Sequence, residues 1–216
     1  MQRLFRSRNE ATRCLQKIAE AQAGFFTAKQ AKKAGFSESS HTYNVQEGHW
    51  TRESRGIYRL TSYPAVLRPE LVRWHLWSMD RTGQAQGVYS HSTALGIYIA
   101  SETTMPDLPP VLDMTVPKGF RRMGAMPEVL TLHYANLAES DIVARNGYRL
   151  TTPLRTILDL ATGDLATADT MPREELLKAL QGILERGLIT RRQVKGARIP
   201  EVAQLQLEAL LGWKKR

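Results

Sequence analysis

The chain carries five histidines, His41, His49, His75, His91 and His133, and one cysteine, Cys14. No two of them stand at metal-ligand spacing, so no metal site is expected. The glycine signatures of nucleotide-binding loops and of the nucleophile elbow are absent. Ser90 and His91 are adjacent, but neighbouring helical residues diverge by about 100°, which predicts side chains that do not converge as a hydrolase requires. A metal-dependent nuclease needs two carboxylates and a lysine at strand ends, and Asp107, Asp113 and Lys118 are the only set that approaches this. Thr115 stands where a second strand acid belongs and Lys118 follows Pro117 in a turn, so Asp107 and Asp113 read as loop and strand-edge acids. No catalytic residue and no cofactor are expected.

A different chemistry is concentrated between residues 29 and 59. Ser39, Ser40, His41, Tyr43, Asn44 and Gln46 lie within one short segment. Their side chains suit hydrogen bonding to base edges in a major groove. Arg52 and Arg55 follow on a short ribbon, where arginine suits phosphates or a narrow minor groove. Lys29, with Arg8, Arg13, Lys32 and Lys33, adds candidate phosphate contacts. Arg59 alternates onto the face of Ile57 and is left out of the projecting set.

The surrounding pattern supplies elements to hold these residues. A helix is predicted from about Arg8 to Ala21, with Leu15, Ile18, Ala19 and Gln22 inward and Gly24 after it. Thr27 and Gln30 form a capping box for a short helix that Gly35 ends. Ser37 caps a third helix, running to about Glu47. Trp50–Arg52 and Ile57–Leu60 are two strands joined at Ser54–Gly56, with Trp50, Ile57, Tyr58 and Leu60 as core. Three helices and a ribbon in this order predict a winged helix-turn-helix over residues 1–62.

Residues 63–216 predict a mixed α+β domain with a small sheet, giving an α+β chain overall. A helix from Glu70 to Met79 turns Leu71, Trp74 and either Leu76 or Trp77 inward. Short strands are expected at 87–89, 111–116, 129–133 and 148–150, and Ser90 is expected to cap a helix. Thr103–Pro110 reads as loop. Thr152-Pro153 starts a helix with Leu154, Ile157, Leu158 and Ala161 inward, and with Arg155 and Asp159 paired on its outer face. Further helices are expected from near Pro172, after the Thr190/Gln193 capping box, and over 200–213.

Composition narrows the class. The 216 residues are 42% hydrophobic and carry a net charge of +9, globular material suited to a polyanionic partner. Residues 1–62 hold 11 Lys and Arg against five acids, two thirds of the excess. With one cysteine, no disulfide framework within the chain or cysteine-based zinc site is expected. The basic start has no apolar stretch after it and no run of about 18 apolar residues occurs, so neither a secretory signal nor a membrane span is expected, and a cytoplasmic location fits.

FFTAKQAKKAGFS and EGHWTRESRGIYRL resemble the winged-helix domain of the AbiEi family. Ser90-His91-Ser92-Thr93-Ala94-Leu95, Thr115-Val116-Pro117, Leu132-His133 and Thr151-Thr152-Pro153-Leu154-Arg155-Thr156, followed by Asp159-Leu160, are similar to that family's recurring blocks. The likeness runs over about residues 12–161. It implies a DNA-binding regulator: the autorepressing antitoxin of a type IV toxin–antitoxin system, acting on the promoter of its own operon and opposing a nucleotidyltransferase-like toxin. It also implies that 63–216 carry the antitoxin or regulatory role. A stand-alone regulator, or a protein-interaction module without a toxin, is the alternative.

Overall fold

The computed structural model describes residues 7–100, 110–122, 126–162 and 173–196. The chain divides into two compact units, Met1–Gly87 with Ala144–Arg149, and Val88–Val143 with Leu150–Arg216.

The first unit begins with helix α1 (Arg8–Glu20), which buries Ala11, Leu15 and Ala19 at helical spacing. Its start is fixed by a capping box: the Glu10 amide donates to Ser7 Oγ, and Glu10 accepts from the Ser7 amide. Strand β1 (Phe25–Thr27) follows, an element not anticipated from the sequence. Thr27 and Gln30 then make the predicted box at the start of α2 (Ala28–Ala34), and Gly35 ends it at φ 120°. Ser37 caps α3 (Glu38–Gln46), and β2 (Trp50–Ser54) and β3 (Ile57–Leu60) form the ribbon.

The three strands lie in the order β1-β3-β2, all antiparallel. Helix, strand, two helices and a returning ribbon is the order expected of a winged helix, with β1 added. Both faces of the little sheet are covered. Phe26 and Trp50 pack with Leu15, Ala19, Ala31 and Ala34 on one face. Phe25 and Ile57 pack on the other with Val72 and Leu76 of α4 (Pro69–Trp77). Two successive phenylalanines thus serve two cores, because alternate strand residues point to opposite faces. In α4 the buried residues are Leu71, Val72, His75 and Leu76; Trp74 is half-buried rather than inward. His75 Nδ1 meets the Gly87 carbonyl at 3.0 Å, and burial lowers its pKa to about 4.

The second unit contains β4 (Val88–Tyr89), α5 (His91–Ile99), β5 (Leu112–Val116) and β6 (Leu130–Tyr134). After a 3-10 turn at Glu139–Asp141 come β7 (Ile142–Arg145) and β8 (Tyr148–Thr151), whose residues Ala144–Arg149 group with the first unit, and then α6 (Pro153–Thr162), α7 (Arg173–Glu185) and α8 (Arg191–Gly196). The strand order is β6-β5-β4-β8-β7, with β5 parallel to β6 and antiparallel to β4. Leu95, Ile157, Leu160, Leu180 and Ile183 form the helical core beside it. Thr152 caps α6 through the Arg155 amide, and Thr190 with Gln193 makes the predicted box before α8. The helix expected over 200–213 and most of the Thr103–Pro110 loop, Asp107 included, lie outside the described residues.

Candidate functional site

Helix α3 has one aliphatic residue, Val45, among its nine. That residue sets the phase. Val45 packs with the three-helix core, and His41 and Asn44 are buried beside it at 6% and 8% exposure. His41 lies 5.5 Å from the Trp50 ring and 5.6 Å from Tyr58. Burial lowers its pKa, which favours a neutral imidazole against these aromatic faces. Asn44 Nδ2 donates to the Ser40 carbonyl one turn back, at 2.7 Å. The expectation that His41 and Asn44 read bases is therefore corrected: both face inward, with the Asn44 amide donating within the helix and His41 Nε2 buried without a hydrogen-bond partner. Ser40 is half-withdrawn too, its hydroxyl donating to the Ser37 carbonyl at 2.6 Å.

The opposite side of α3 presents Ser39, Thr42, Tyr43 and Gln46, all exposed. They stand at i, i+3, i+4 and i+7, a single stripe of a helix. Tyr43 remains 48% exposed. Thr42 is the residue that sequence reasoning missed. Counting outward from Val45 would have found it. Lys29 is exposed on α2. Lys32 pairs with Glu38 at 3.0 Å, and that hydrogen bond holds the Glu38 carboxyl below its ordinary value.

The ribbon sorts its three arginines. Arg52 is exposed on β2, opposite Tyr58 in the register. Arg55 is exposed in the two-residue turn between Ser54 and Ile57. Gly56, at φ 75°, completes that turn, and its carbonyl accepts from the Ala28 amide at 2.9 Å. The turn is thereby pinned to the start of α2. Arg59 is used inside the unit: its Nε donates to Glu53 at 3.1 Å and its Nη1 to the Tyr63 carbonyl at 3.3 Å.

The second unit holds a polar cluster that the sequence did not foretell. Ser90 precedes α5 in an extended conformation and makes no side-chain cap. His91 adopts φ 48°. That left-handed turn brings Ser90 Oγ and His91 Nδ1 to 2.9 Å, so the expected divergence is corrected. Ser90 is nevertheless fully buried and accepts from Thr115 Oγ1 at 2.8 Å, which denies it the access a nucleophile needs. The His91 ring stacks on His133 at 3.7 Å, and His133 Nε2 meets Asp113 Oδ1 at 2.9 Å. Asp113 is thus engaged by a histidine, and the described residues hold no group of three or more metal-ligating side chains. On α6, Arg155 bridges Asp159 at 2.6 Å and Asp141 at 3.2 Å. Asp159 is buried, not on the outer face, and burial pushes its carboxyl up despite Arg155.

Residues 15–61 match a protein family described as transcriptional regulator, AbiEi antitoxin. The AbiEi resemblance holds over this segment. The match runs from mid-α1 through β3, so it spans α3 and the wing, and it covers less than the likeness read from the sequence blocks. AbiEi proteins are a class of regulators and antitoxins rather than of enzymes. The fold is similar to that in the crystal structure of the RV2827C protein from Mycobacterium tuberculosis. The two share 14% identity over 96% of this chain and 78% of that one, with a TM-score of 0.53. No curated protein matches. Among the described residues, no helix is long and apolar enough to cross a membrane.

Proposed function

We propose that the chain is a DNA-binding transcriptional regulator, the autorepressing antitoxin of a type IV toxin–antitoxin pair. The observation that carries this reading is the outward stripe of α3 beside a wing with two uncommitted arginines, inside the segment that matches AbiEi regulators. Residues 1–62 are the proposed DNA-binding domain, with α4 packed beneath its sheet. Ser39, Thr42, Tyr43 and Gln46 face the major groove, while Lys29, Arg52 and Arg55 meet phosphates or a minor groove. Residues 63–216 take the antitoxin or regulatory role. The partners are the promoter of its own operon and a nucleotidyltransferase-like toxin, and the work is cytoplasmic and non-catalytic.

A gel shift with the DNA upstream of its own gene tests the reading. The expected result is binding at least 1,000-fold tighter than to unrelated duplex at the same salt, the order of margin specific sites show. Equal affinity for both duplexes removes the repressor role. Co-expression with a neighbouring nucleotidyltransferase-like gene tests the antitoxin role separately. Growth that the toxin arrests and this chain does not restore leaves a stand-alone regulator.

A further inference from the structure

The side chains on the outer face of α3 carry more information than the fact of DNA contact. The helix contains no lysine and no arginine. The commonest specific contact to guanine is a bidentate arginine or lysine at its O6 and N7. This face offers none. It offers Gln46, whose amide matches the N6 and N7 pair of adenine. It also offers the Thr42 methyl and the Tyr43 ring, apolar groups that fit the thymine C5-methyl, and the Ser39 hydroxyl, which suits either partner. The acid at the start of the helix, Glu38, is paired with Lys32 and lies off the Ser39–Gln46 stripe. The cations that supply affinity sit elsewhere, on α1, α2 and the wing.

We infer that the recognition helix selects adenine–thymine pairs, and that its specificity is separate from its electrostatics. This rests on the proposed DNA-binding reading and goes beyond it by naming the sequence class. From Ser39 to Gln46 the helix rises by about 10 Å, which covers about three base-pair steps of 3.4 Å. The stripe therefore reads a block of about three consecutive A·T pairs per protein chain. Gln46, at the far end of the stripe, specifies adenine at one end of that block. Arg52 and Arg55 reinforce the same preference if the wing enters a minor groove, since A-tracts narrow it and concentrate its negative potential.

The test is selection of duplexes from a randomised pool by the full-length chain, followed by titration of the selected site and its single-pair variants. The expected outcome is a run of about three A·T pairs. Replacing the Gln46 pair by G·C then weakens binding by roughly five- to 150-fold. Gln46→Ala should abolish discrimination at that pair alone, and Gln46→Arg should turn it towards guanine. Gln46 is exposed, so neither change disturbs the core. Selected sites with guanine or cytosine across the block, at undiminished affinity, overturn the inference and leave the DNA-binding reading standing. An A·T block whose discrimination is untouched by Gln46→Ala, Tyr43→Ala and Thr42→Ala also overturns it, because the reading then comes from elsewhere. No salt-sensitive binding to any duplex removes both.

Discussion

The double substitution Arg52→Ala with Arg55→Ala separates the wing's contribution from every other source of affinity. Both side chains are exposed, and neither is paired with an acid among the described residues. Each phosphate contact on B-form DNA steepens the fall of log affinity with log salt by about 0.9. Losing two contacts should make the slope shallower by about 1.8. Over a fourfold rise in salt, from about 50 to 200 mM, the parent chain then loses about 12-fold more affinity than the double variant. Arg59→Ala is the internal control. Its guanidinium is bound to Glu53 and to the Tyr63 carbonyl, so the slope should stay as in the parent. Its thermal stability should fall, because Glu53 is left half-buried and unpaired. Fluorescence anisotropy across a salt series measures all three slopes. A double variant whose slope moves by less than about 0.5, or an Arg59→Ala slope that drops as far as the double variant's, refutes the assignment of the arginines.

Acid should destabilise the first unit through His75. Its folded pKa of about 4 lies below the ordinary 6.5, so the unfolded chain binds the proton first. The stabilisation is present above pH 6.5 and is lost as pH falls towards 4, amounting to about 2 kcal/mol between pH 7 and pH 5. Urea midpoints followed by the fluorescence of Trp74 and Trp77 would show it, and midpoints that do not move between those pH values count against it. Asp159 in the second unit acts with the opposite sign, because burial raises its pKa and protonation relieves it. Two glycines should differ in how they tolerate alanine. At Gly56, φ 75° with open space around it, the cost is about 1 kcal/mol of left-handed strain. At Gly24, φ 88°, the new methyl would stand 2.6 Å from the Tyr63 ring, so the fall in melting temperature should be clearly larger. Equal falls would show that Tyr63 yields.

Much of this architecture is legible in the sequence where a local interaction announces it. Thr27 with Gln30, Ser37, Thr152 before Pro153, and Thr190 with Gln193 each mark a helix start that forms as read. Ser7 with Glu10 carries the same signal for α1. Strand β1 is not legible because three residues are too few for an alternation, and its identity comes from pairing with β3, 30 to 34 positions away. The phase of α3 was obscured for another reason. Histidine and asparagine rarely line a core, and here they do so because Trp50 and Tyr58 offer ring faces and the Ser40 carbonyl offers an acceptor. The Ser90–His91 contact depends on one positive backbone angle at a residue that is not glycine, and no spacing rule anticipates that.

Strand β3 lies between β1 and β2, with its turn tied to α2 through the Gly56 carbonyl. A free two-stranded ribbon would flex at its root and have to be ordered by whatever it meets. This one is paired along the β3 edge by β1 and pinned at its turn, with β2 at the sheet edge, so the backbone that carries its arginines is held relative to the α3 stripe before any ligand arrives. Little conformational freedom is left to freeze on binding, and less of the contact energy is consumed in ordering the protein. The same clamp makes the unit an inflexible gauge. It cannot stretch to fit a duplex whose groove-to-groove spacing is altered, so inserting a base pair between the segment under the helix and the segment under the wing should be tolerated worse than most base substitutions.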